Sequence, residues 1–343
     1  MNTIKDIARK AGVSPGTVSK ALLDRDDVST STKRRLKKLA AELGYVPNVI
    51  ARSLVTNRTS TIGLVTPYLG NPALIERIKG IQNTCFGNKY LLITCLNEGA
   101  LEEETDQIEA LISRKVDGII ITPTTNNAKL HELVSNIEIP VVLMSEMIEG
   151  ANCDFVGEDD YEGARIGMEH LISLGHSNIA YFGESPEIYS DGRIIKGYRD
   201  TLEKYHIDYR NELVVWNNAE RHMLEMNVEK VINVPVPPTS ILAWSDVIAV
   251  DIMKKLEAMG KRVPEDVSIV GYDNIELLSL FHIPLTTISQ PNFLIGQKIT
   301  ELLVERIENN GMNEPQRKLI FRPELVVRKS TAPVKQGGAL DKN

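Results

Sequence analysis

The residue types that usually carry catalysis are present in this chain, but they do not occur at catalytic spacings. The six histidines are scattered, and the sequence contains no HExxH, GxSxG or GxxxxGK[ST] motif and no Cys/His set at metal-ligand spacing. These absences argue against an enzyme, and we expect neither a cofactor nor a bound metal. The chemistry that remains is binding chemistry, carried by a basic N-terminal segment and by polar residues that follow predicted strands.

The charge of the chain is unevenly distributed. Residues 1–60 contain twelve Lys/Arg and five Asp/Glu, a net charge of +7, whereas the rest of the chain has a net charge of −14. A basic head on an acidic body is expected when only the head meets phosphate groups. The alternative for the basic residues alone is an ordinary solvated helix face.

The cysteines and the N-terminus indicate where the protein resides. Cys85, Cys95 and Cys153 are odd in number and show no CxxC spacing, which favours buried, reduced thiols. The chain begins without an apolar leader segment, and no stretch approaches eighteen apolar residues. We therefore expect a cytoplasmic protein with no membrane partner.

The basic segment predicts three helices. Thr3 and Asp6 have the spacing of a capping box, and Gly12 ends the helix that they start. Ser14 and Pro15 open a second helix as N-cap and first helical residue. Helix, short glycine turn and capped helix is the helix-turn-helix pattern, whose second helix enters the major groove. A third, amphipathic helix between about 29 and 43 would close the small core.

Two runs in this region resemble the lactose/galactose repressor (LacI/GalR) family. They are TIKDIA at 3–8 with AGVS at 11–14 and TVS at 17–19, and GYVPN at 44–48 with ARSL at 51–54. The second run is similar to the family's hinge helix, which folds on operator DNA and wedges a leucine into the minor groove. The resemblance implies that Asn48 caps this helix, that Ala51 lets two hinge helices approach, and that Leu54 is the wedge. A core position is the alternative for Leu54.

The resemblance also implies a set of DNA-contacting residues. These are Thr3, Ile4, Ser14, Pro15, Gly16, Thr17, Ser19, Lys20, Asn48, Ala51, Arg52 and Leu54. Pro15 and Gly16 stand where the family usually reads bases, and neither side chain can hydrogen-bond a base edge. We therefore expect recognition of the operator sequence to depend more on Lys20, which would prefer guanine. The shape of the DNA groove and the bending of the DNA would contribute as well. The resemblance therefore implies a nucleoid-associated regulator that binds double-stranded operator DNA.

The acidic body alternates predicted strands and helices. Strands are predicted at 62–66, 90–95, 118–122, 140–144, 178–183, 240–244 and 267–271, with amphipathic helices between most of them. This pattern predicts an α/β fold in which a doubly wound core follows the three-helix head, and the length of that core favours two lobes. The family resemblance adds the hinge helix and implies a core similar to periplasmic binding proteins.

The resemblance, which extends to about residue 330, supplies domain boundaries. We expect a head at 1–47, a hinge helix and linker at 48–60, a core at 61–330 and a flexible tail at 331–343. Within the core, the N-lobe would comprise about 61–159 and 290–320, and the C-lobe about 160–289 and 321–330. Runs that carry the resemblance include HLI at 170–172, LGH at 174–176, VPEDVSIVGYD at 263–273 and PLTTI at 284–288.

Candidate effector contacts follow strands at the predicted cleft. They are Tyr68, Asn71, Arg193, Ser245 and Asp273. Arg193 lies one position before the place where family members carry arginine, which Ile194 occupies here. Trp216 is read as a core residue rather than a stacking platform, and Asp246 as the cap of the helix that follows it.

These observations predict a homodimeric transcriptional regulator of the repressor type. It would bind a pseudo-palindromic operator and be controlled by a small molecule, a sugar or sugar derivative, in the interlobe cleft. A protein corepressor is the alternative controller. A solute-binding protein is an alternative of a different class, and it would need an export signal that is not visible.

The wedge assignment makes a testable prediction. Leu54→Ala should lower operator affinity and abolish operator bending while leaving the fold intact, because the side chain that unstacks the base step is lost. Bending is measured by circular-permutation gel shifts, and the fold by circular dichroism. Bending that persists in the variant would contradict the assignment.

Overall fold

A computed structural model describes most of the chain and divides it into two compact units, residues 1–59 and 60–343. The described residues are 2–45, 53, 58–67, 71–97, 101–124, 128–217, 221–280, 282–309, 311 and 314–335. Asn48, Ala51, Arg52, Leu54 and Tyr68 lie outside them.

Within residues 2–45 the first unit contains the helices α1 (Ile4–Ala11), α2 (Pro15–Leu22) and α3 (Thr30–Glu42). The predicted capping box is present, with the Thr3 hydroxyl donating to Asp6 at 2.7 Å. Gly12 ends α1 at φ 66°, a conformation that glycine adopts without strain. Ile7, Val18, Ala21 and Leu36 are completely buried and form the centre of the three-helix core.

The second unit contains two mostly parallel sheets. The strands are β1 (Thr61–Thr66), β2 (Leu91–Leu96), β3 (Gly118–Ile121), β4 (Val141–Met144), β5 (Asp154–Glu158), β6 (Ile179–Gly183), β7 (Val214–Trp216), β8 (Ser240–Ala243), β9 (Ser268–Asp273), β10 (Thr286–Ser289), β11 (Lys318–Phe321) and β12 (Glu324–Val326). Over the described residues, one sheet has the order β11-β5-β4-β3-β1-β2 and the other β12-β10-β9-β8-β6-β7. Only the β10–β12 pair among these is antiparallel.

Helices cover both faces of each sheet, which is the predicted doubly wound arrangement. They are α4 (Pro72–Gly87), α5 (Leu101–Ser113), α6 (Ala128–Ser135), α7 (Asp160–Ser173), α8 (Tyr189–Lys204), α9 (Arg221–Ile232), α10 (Asp246–Ala258) and α11 (Asn292–Glu308). Apolar clusters fill the spaces between helices and sheets on both faces. None of the described helices is long and apolar enough to span a membrane.

The chain crosses between the two sheets three times. The crossings follow β5, β10 and β11, so that α11 returns to the first sheet and β12 to the second. The lobe that contains β1 is called the N-lobe below, and the lobe that contains β6 the C-lobe. The first and third crossings are joined directly, because the Asp159 backbone N–H donates to the Phe321 carbonyl at 2.9 Å.

The structure corrects one capping prediction and confirms the predicted core position of Trp216. Ser245, not Asp246, caps α10 by accepting from the Ile248 backbone N–H at 3.3 Å. Asp246 is instead completely buried, because it accepts from the Ile275 backbone N–H and the Thr287 hydroxyl. Trp216 packs edge-on against Tyr181 in the C-lobe core, as predicted. His176, in the turn between α7 and β6, bonds Thr239 and the Ala332 carbonyl.

Two glycines allow α4 and α11 to pack closely. A Cβ atom on Gly296 would overlap the Arg77 carbonyl group, and one on Gly80 would overlap the Phe293 carbonyl group. Each helix therefore presents a glycine to the backbone of the other. This close contact holds α11, the helix that returns from the C-lobe, against the N-lobe.

Gly296→Ala should consequently destabilise the protein by about 1–3 kcal/mol, because the added methyl group forces the two helices apart. Gly192→Ala is the matched control, since its Cβ would meet the Pro186 carbonyl oxygen at an ordinary 3.8 Å. Urea unfolding measures both variants. Equal stability of the two variants would contradict the role given to Gly296.

Candidate nucleic-acid interface and effector cleft

The start of α2 presents the predicted DNA-reading surface. The Ser14 hydroxyl accepts from the Thr17 backbone N–H at 3.1 Å, and the two hydroxyl groups are 2.9 Å apart. Pro15 and Gly16 are exposed beside them, whereas Val18 anchors the helix in the core. Pro15 and Gly16 therefore offer DNA only their shape and their backbone groups.

Lys20 is the exposed cation of α2 and forms an ion pair with Asp27. Its positive charge holds the pKa of Asp27 below the usual value, chiefly through the hydrogen bond. Both side chains are about half exposed, so separating them costs little in water. Lys20 can therefore exchange Asp27 for a base or a phosphate without a large penalty.

In the second unit, the carboxyl ends of the strands in both sheets carry polar side chains that meet between the lobes. The Asn71 amide donates to the Asp273 carboxylate at 2.8 Å, which joins two residues that are 202 positions apart. A second bridge joins the Glu146 carboxylate to the Ser190 hydroxyl and, at 3.3 Å, to its backbone N–H. Both contacts cross from the N-lobe to the C-lobe, and they define the cleft.

The predicted effector-binding residues make different kinds of contact in the structure. Asn71 and Asp273 are in direct contact across the cleft. Arg193 forms a 3.3 Å ion pair with Asp159 at the start of α7 and lies over the Tyr161 ring. Ser245 is 5% exposed and its hydroxyl serves as the α10 cap. The four described candidates thus do not converge on a single point.

Arg77 is a cleft residue that the sequence analysis missed. Its side chain is buried on α4, where it donates to the Glu158 carboxylate at 3.2 Å and to the Gln290 side chain at 3.1 Å. It also donates to the side chains of Asn292 and Ser145. Arg77 therefore holds the first and second crossings together and uses all three guanidinium nitrogens to do so.

A signal for Arg77 was present in the sequence. The buried positions of α4 include Ala73, Arg77, Ile81 and Cys85, which recur at helical spacing. A cation within an apolar stripe is rarely fully buried unless it is paired. Its carboxylate partner, however, is 81 positions away and no local pattern identifies it.

The cleft also gathers four carboxylates: Glu146, Glu158, Asp160 and Asp273. Glu146 lies two residues after β4, and Glu158 is the last residue of the neighbouring strand β5. Asp160 begins α7, is 2% exposed and accepts from the Tyr272 hydroxyl at 3.2 Å. Asp273 has a φ of 112°, a backbone conformation that is strained for a non-glycine residue.

Burial raises the pKa of several of these groups. It raises the pKa of Glu146 to about 7, against hydrogen bonds from Ser190 that lower it. It also raises the pKa of Asp160 and of Asp273 well above the ordinary value, and the nearby Glu158 raises both further. Arg77 lowers these two pKa values, but the burial effect is larger. Burial thus favours the protonated, neutral form of these carboxyl groups and limits the negative charge that the cleft carries.

Glu146 makes stability depend on pH. Its folded-state pKa of about 7 exceeds the ordinary 4.5, so the folded protein binds this proton more tightly than the unfolded chain does. Its contribution to stability is therefore lost as pH rises from about 4.5 to about 7. Glu146→Gln should gain stability relative to wild type over this window, on the order of 1–2 kcal/mol.

Unfolding midpoints at pH 5 and pH 7.5 measure this difference, with the exposed Glu149→Gln as the control. A difference between Glu146→Gln and wild type that is the same at both pH values would refute the assignment.

Comparisons with known proteins match both parts of the chain. Residues 3–48 match the family described as bacterial regulatory proteins, lacI family, and residues 168–331 match a periplasmic binding protein-like domain. The HTH-type transcriptional repressor PurR of Vibrio vulnificus (strain CMCP6) is 34% identical over 329 residues, covering 96% of this chain and 98% of that protein.

Solved structures agree with these matches. A lac repressor dimer bound to operator and the anti-inducer ONPF is 26% identical, with a TM-score of 0.84 over 96% of this chain and 99% of that one. A complex of the transcriptional regulator CelR with cellobiose is 25% identical, with a TM-score of 0.73 over 96% of this chain and 100% of that one. The chain therefore belongs to the LacI family of bacterial regulatory proteins, which makes it a DNA-binding transcriptional regulator and not an enzyme.

Proposed function

We propose that this protein is a homodimeric, cytoplasmic repressor whose two heads occupy the halves of a pseudo-palindromic operator. A carbohydrate-like small molecule in the interlobe cleft would control it. The observation that carries the proposal is the combination, in one chain, of an exposed recognition helix and a cleft bridged by Asn71–Asp273 and Glu146–Ser190. A ligand that prefers one arrangement of these bridges would shift the population of lobe orientations.

The proposed domain roles follow the boundaries inferred from the sequence. Residues 1–47 would bind the major groove, 48–60 would form the hinge, and 61–330 would bind the effector and the second subunit. Thr17, Ser19 and Lys20 on α2 are proposed DNA contacts, together with Thr3 and Ile4 at the start of α1. The hinge contacts Asn48, Ala51, Arg52 and Leu54 remain predictions from the sequence.

Relatives support the choice of ligand and DNA. The CelR structure contains cellobiose, and a LacI family regulator from Enterococcus faecium, 27% identical with a TM-score of 0.70 over 80% of this chain and all of that one, contains ribose. The lac repressor structure contains a dimer on operator DNA. These proteins share the fold, and we carry their ligand class, DNA partner and assembly over to this chain as a proposal.

Exposed apolar side chains support the homodimer. In the N-lobe, Phe86 at the end of α4 is 84% exposed and Leu91 on the outer strand β2 is 63% exposed. In the C-lobe, Met226 on α9 is 63% exposed and Leu280 is 80% exposed. Exposed apolar side chains mark a surface that another chain covers only where they form a contiguous patch, so these four are the positions we propose for contact with a second subunit.

Operator binding across a salt series tests the DNA function. The full-length protein should bind duplex DNA, and log affinity should fall linearly with log salt because Lys and Arg displace counterions. Lys20→Ala should relax base preference at one position of each half-site. Absence of DNA affinity even at low ionic strength would overturn the proposal, whereas a uniform affinity loss in Lys20→Ala would make Lys20 a phosphate contact.

Leu280→Asp should convert the protein to monomers and reduce operator affinity, because each head would then bind a single half-site. Analytical ultracentrifugation measures the mass, and Val236→Asp, at a residue that is 50% exposed, is the control. A wild-type protein that sediments as a monomer, or a Leu280→Asp variant that remains dimeric, would overturn the proposed interface.

A further inference from the structure

The turn between α2 and α3 places a carboxylate beside the DNA-reading helix. Asp27 accepts a hydrogen bond from the Lys20 ammonium group, and the two side chains form an ion pair across seven positions of the chain. Lys20 is the only charged residue of α2, whose sequence from Pro15 to Leu22 is PGTVSKAL. A negative charge thus lies beside the one cation that this helix can offer to DNA.

Contacts on both sides of Asp27 fix its position in the turn. The Arg25 backbone N–H donates to the Lys20 carbonyl at 3.0 Å, and the Val28 backbone N–H donates to the Arg25 carbonyl at 3.2 Å. Val28 is buried in the three-helix core, and Ser29 then caps α3. Because the turn is attached before and after Asp27, its carboxylate stays close to Lys20 even when the ion pair opens.

The ion pair leaves Lys20 with enough donors for a base. An ammonium group has three N–H donors, and Asp27 accepts from one of them. Two donors remain, which is the number that guanine accepts at O6 and N7. These guanine atoms carry no full charge, so a guanine edge can share the ammonium group with Asp27 without bringing two like charges together.

A phosphate group meets a different environment at the same place. The hydrogen bond from Lys20 holds the pKa of Asp27 below its usual value, so this exposed carboxylate is ionised at neutral pH. A phosphate that approached Lys20 would also approach Asp27, and like charges brought together at an interface are disfavoured. Because breaking the exposed ion pair costs little in water, this repulsion decides which of the two partners Lys20 can bind.

We propose that Asp27 is a specificity-determining residue of the DNA-binding head: it holds Lys20 for a base edge and prevents Lys20 from binding the phosphate backbone. The proposal rests on the DNA contact proposed above for Lys20. Affinity for unrelated sequences comes mainly from phosphate contacts, so a lysine that is kept from phosphate adds to discrimination more than to affinity. Asp27 is therefore a positioning residue, which acts through Lys20.

Binding of two duplexes by the full-length protein tests the role of Asp27. The probes are the duplex that the wild-type protein selects from a random-sequence pool and a duplex of the same base composition in scrambled order. Fluorescence anisotropy measures both affinities over a salt series, and their quotient is the specificity ratio. Asp27→Asn should bind the scrambled duplex about five-fold or more tightly than wild type does, and its specificity ratio should fall, because Lys20 becomes available to phosphate.

Three further variants separate this role from net charge. Asp26→Asn is the matched control, because it removes the same charge from an exposed neighbour in the same turn, and it should leave the specificity ratio unchanged. Asp27→Glu keeps the negative charge and should retain the wild-type ratio. In the background of Lys20→Ala, Asp27→Asn should also leave the ratio unchanged, because the residue through which Asp27 acts is absent. Thermal melts followed by circular dichroism check that each variant is folded.

Equal specificity ratios for Asp27→Asn and Asp26→Asn would overturn the proposal, and so would a fall in the ratio that persists in the Lys20→Ala background. A change in the base that Asp27→Asn selects, with unchanged affinity for the scrambled duplex, would overturn it in favour of direct base contact by Asp27. In these cases the salt-dependent binding of wild type would leave the proposed DNA function intact. A wild-type protein that binds neither duplex at low ionic strength would overturn both.

Discussion

The buried guanidinium group of Arg77 is the interaction on which the arrangement of the core depends. Three chain crossings connect the lobes, and Arg77 binds the first through Glu158 and the second through Gln290 and Asn292. The third crossing is attached to the first by the Asp159–Phe321 backbone hydrogen bond. One side chain on an N-lobe helix therefore holds the segments about which the lobes can rotate.

A buried ion pair of this kind specifies an arrangement more than it adds stability. Removing two charges from water costs free energy that their attraction repays only when the remaining donors and acceptors are satisfied. Arg77 meets that condition with four side-chain partners. Its acidic partner does not, because one oxygen of Glu158 has no donor among the described residues. The contacts of Arg77 with the crossings, called the clamp below, are thus complete on the cationic side, whereas one buried oxygen on the anionic side has no partner among the described residues.

This asymmetry connects the crossings to the cleft. The same segment carries Glu158, which accepts from Arg77, and Asp160, which accepts from the Tyr272 hydroxyl in the C-lobe. A ligand that contacts this segment would act on the chain that Arg77 holds. Ligand binding and lobe orientation would then be coupled through a few polar contacts, as a two-state account of regulation requires.

Local patterns predicted the framework of the fold. Helix caps such as Ser14 and apolar runs such as 118–122 and 240–244 depend on neighbouring residues, so the sequence alone located them to within a few positions. Strands β5, β7, β10, β11 and β12 were not among the predicted strands, because each is only three to five residues long and gives little periodic signal. Asn71 and Asp273 were identified from their positions after strands, but their direct contact was not predictable.

The residues that determine the cleft were harder to predict for the same physical reason. Arg77, Glu158 and Gln290 are brought together by pairings across 81 and 213 positions, and no local rule encodes such distances. The exchange of roles between Ser245 and Asp246 has a similar origin. Serine and aspartate both cap helices well. The Asp246 carboxylate is buried and accepts from Thr287, so Ser245 serves as the cap.

Amide hydrogen exchange in Arg77→Met tests the central role of the clamp most directly. Methionine fills a similar volume without binding the crossings. We predict that the amides of Asp159 and Asn292, which donate to the Phe321 and Gln290 carbonyls, exchange at least ten-fold faster, while those of the central strands β3 and β8 are unchanged. Unchanged exchange at the crossings, or a uniform increase throughout the core, would contradict the account.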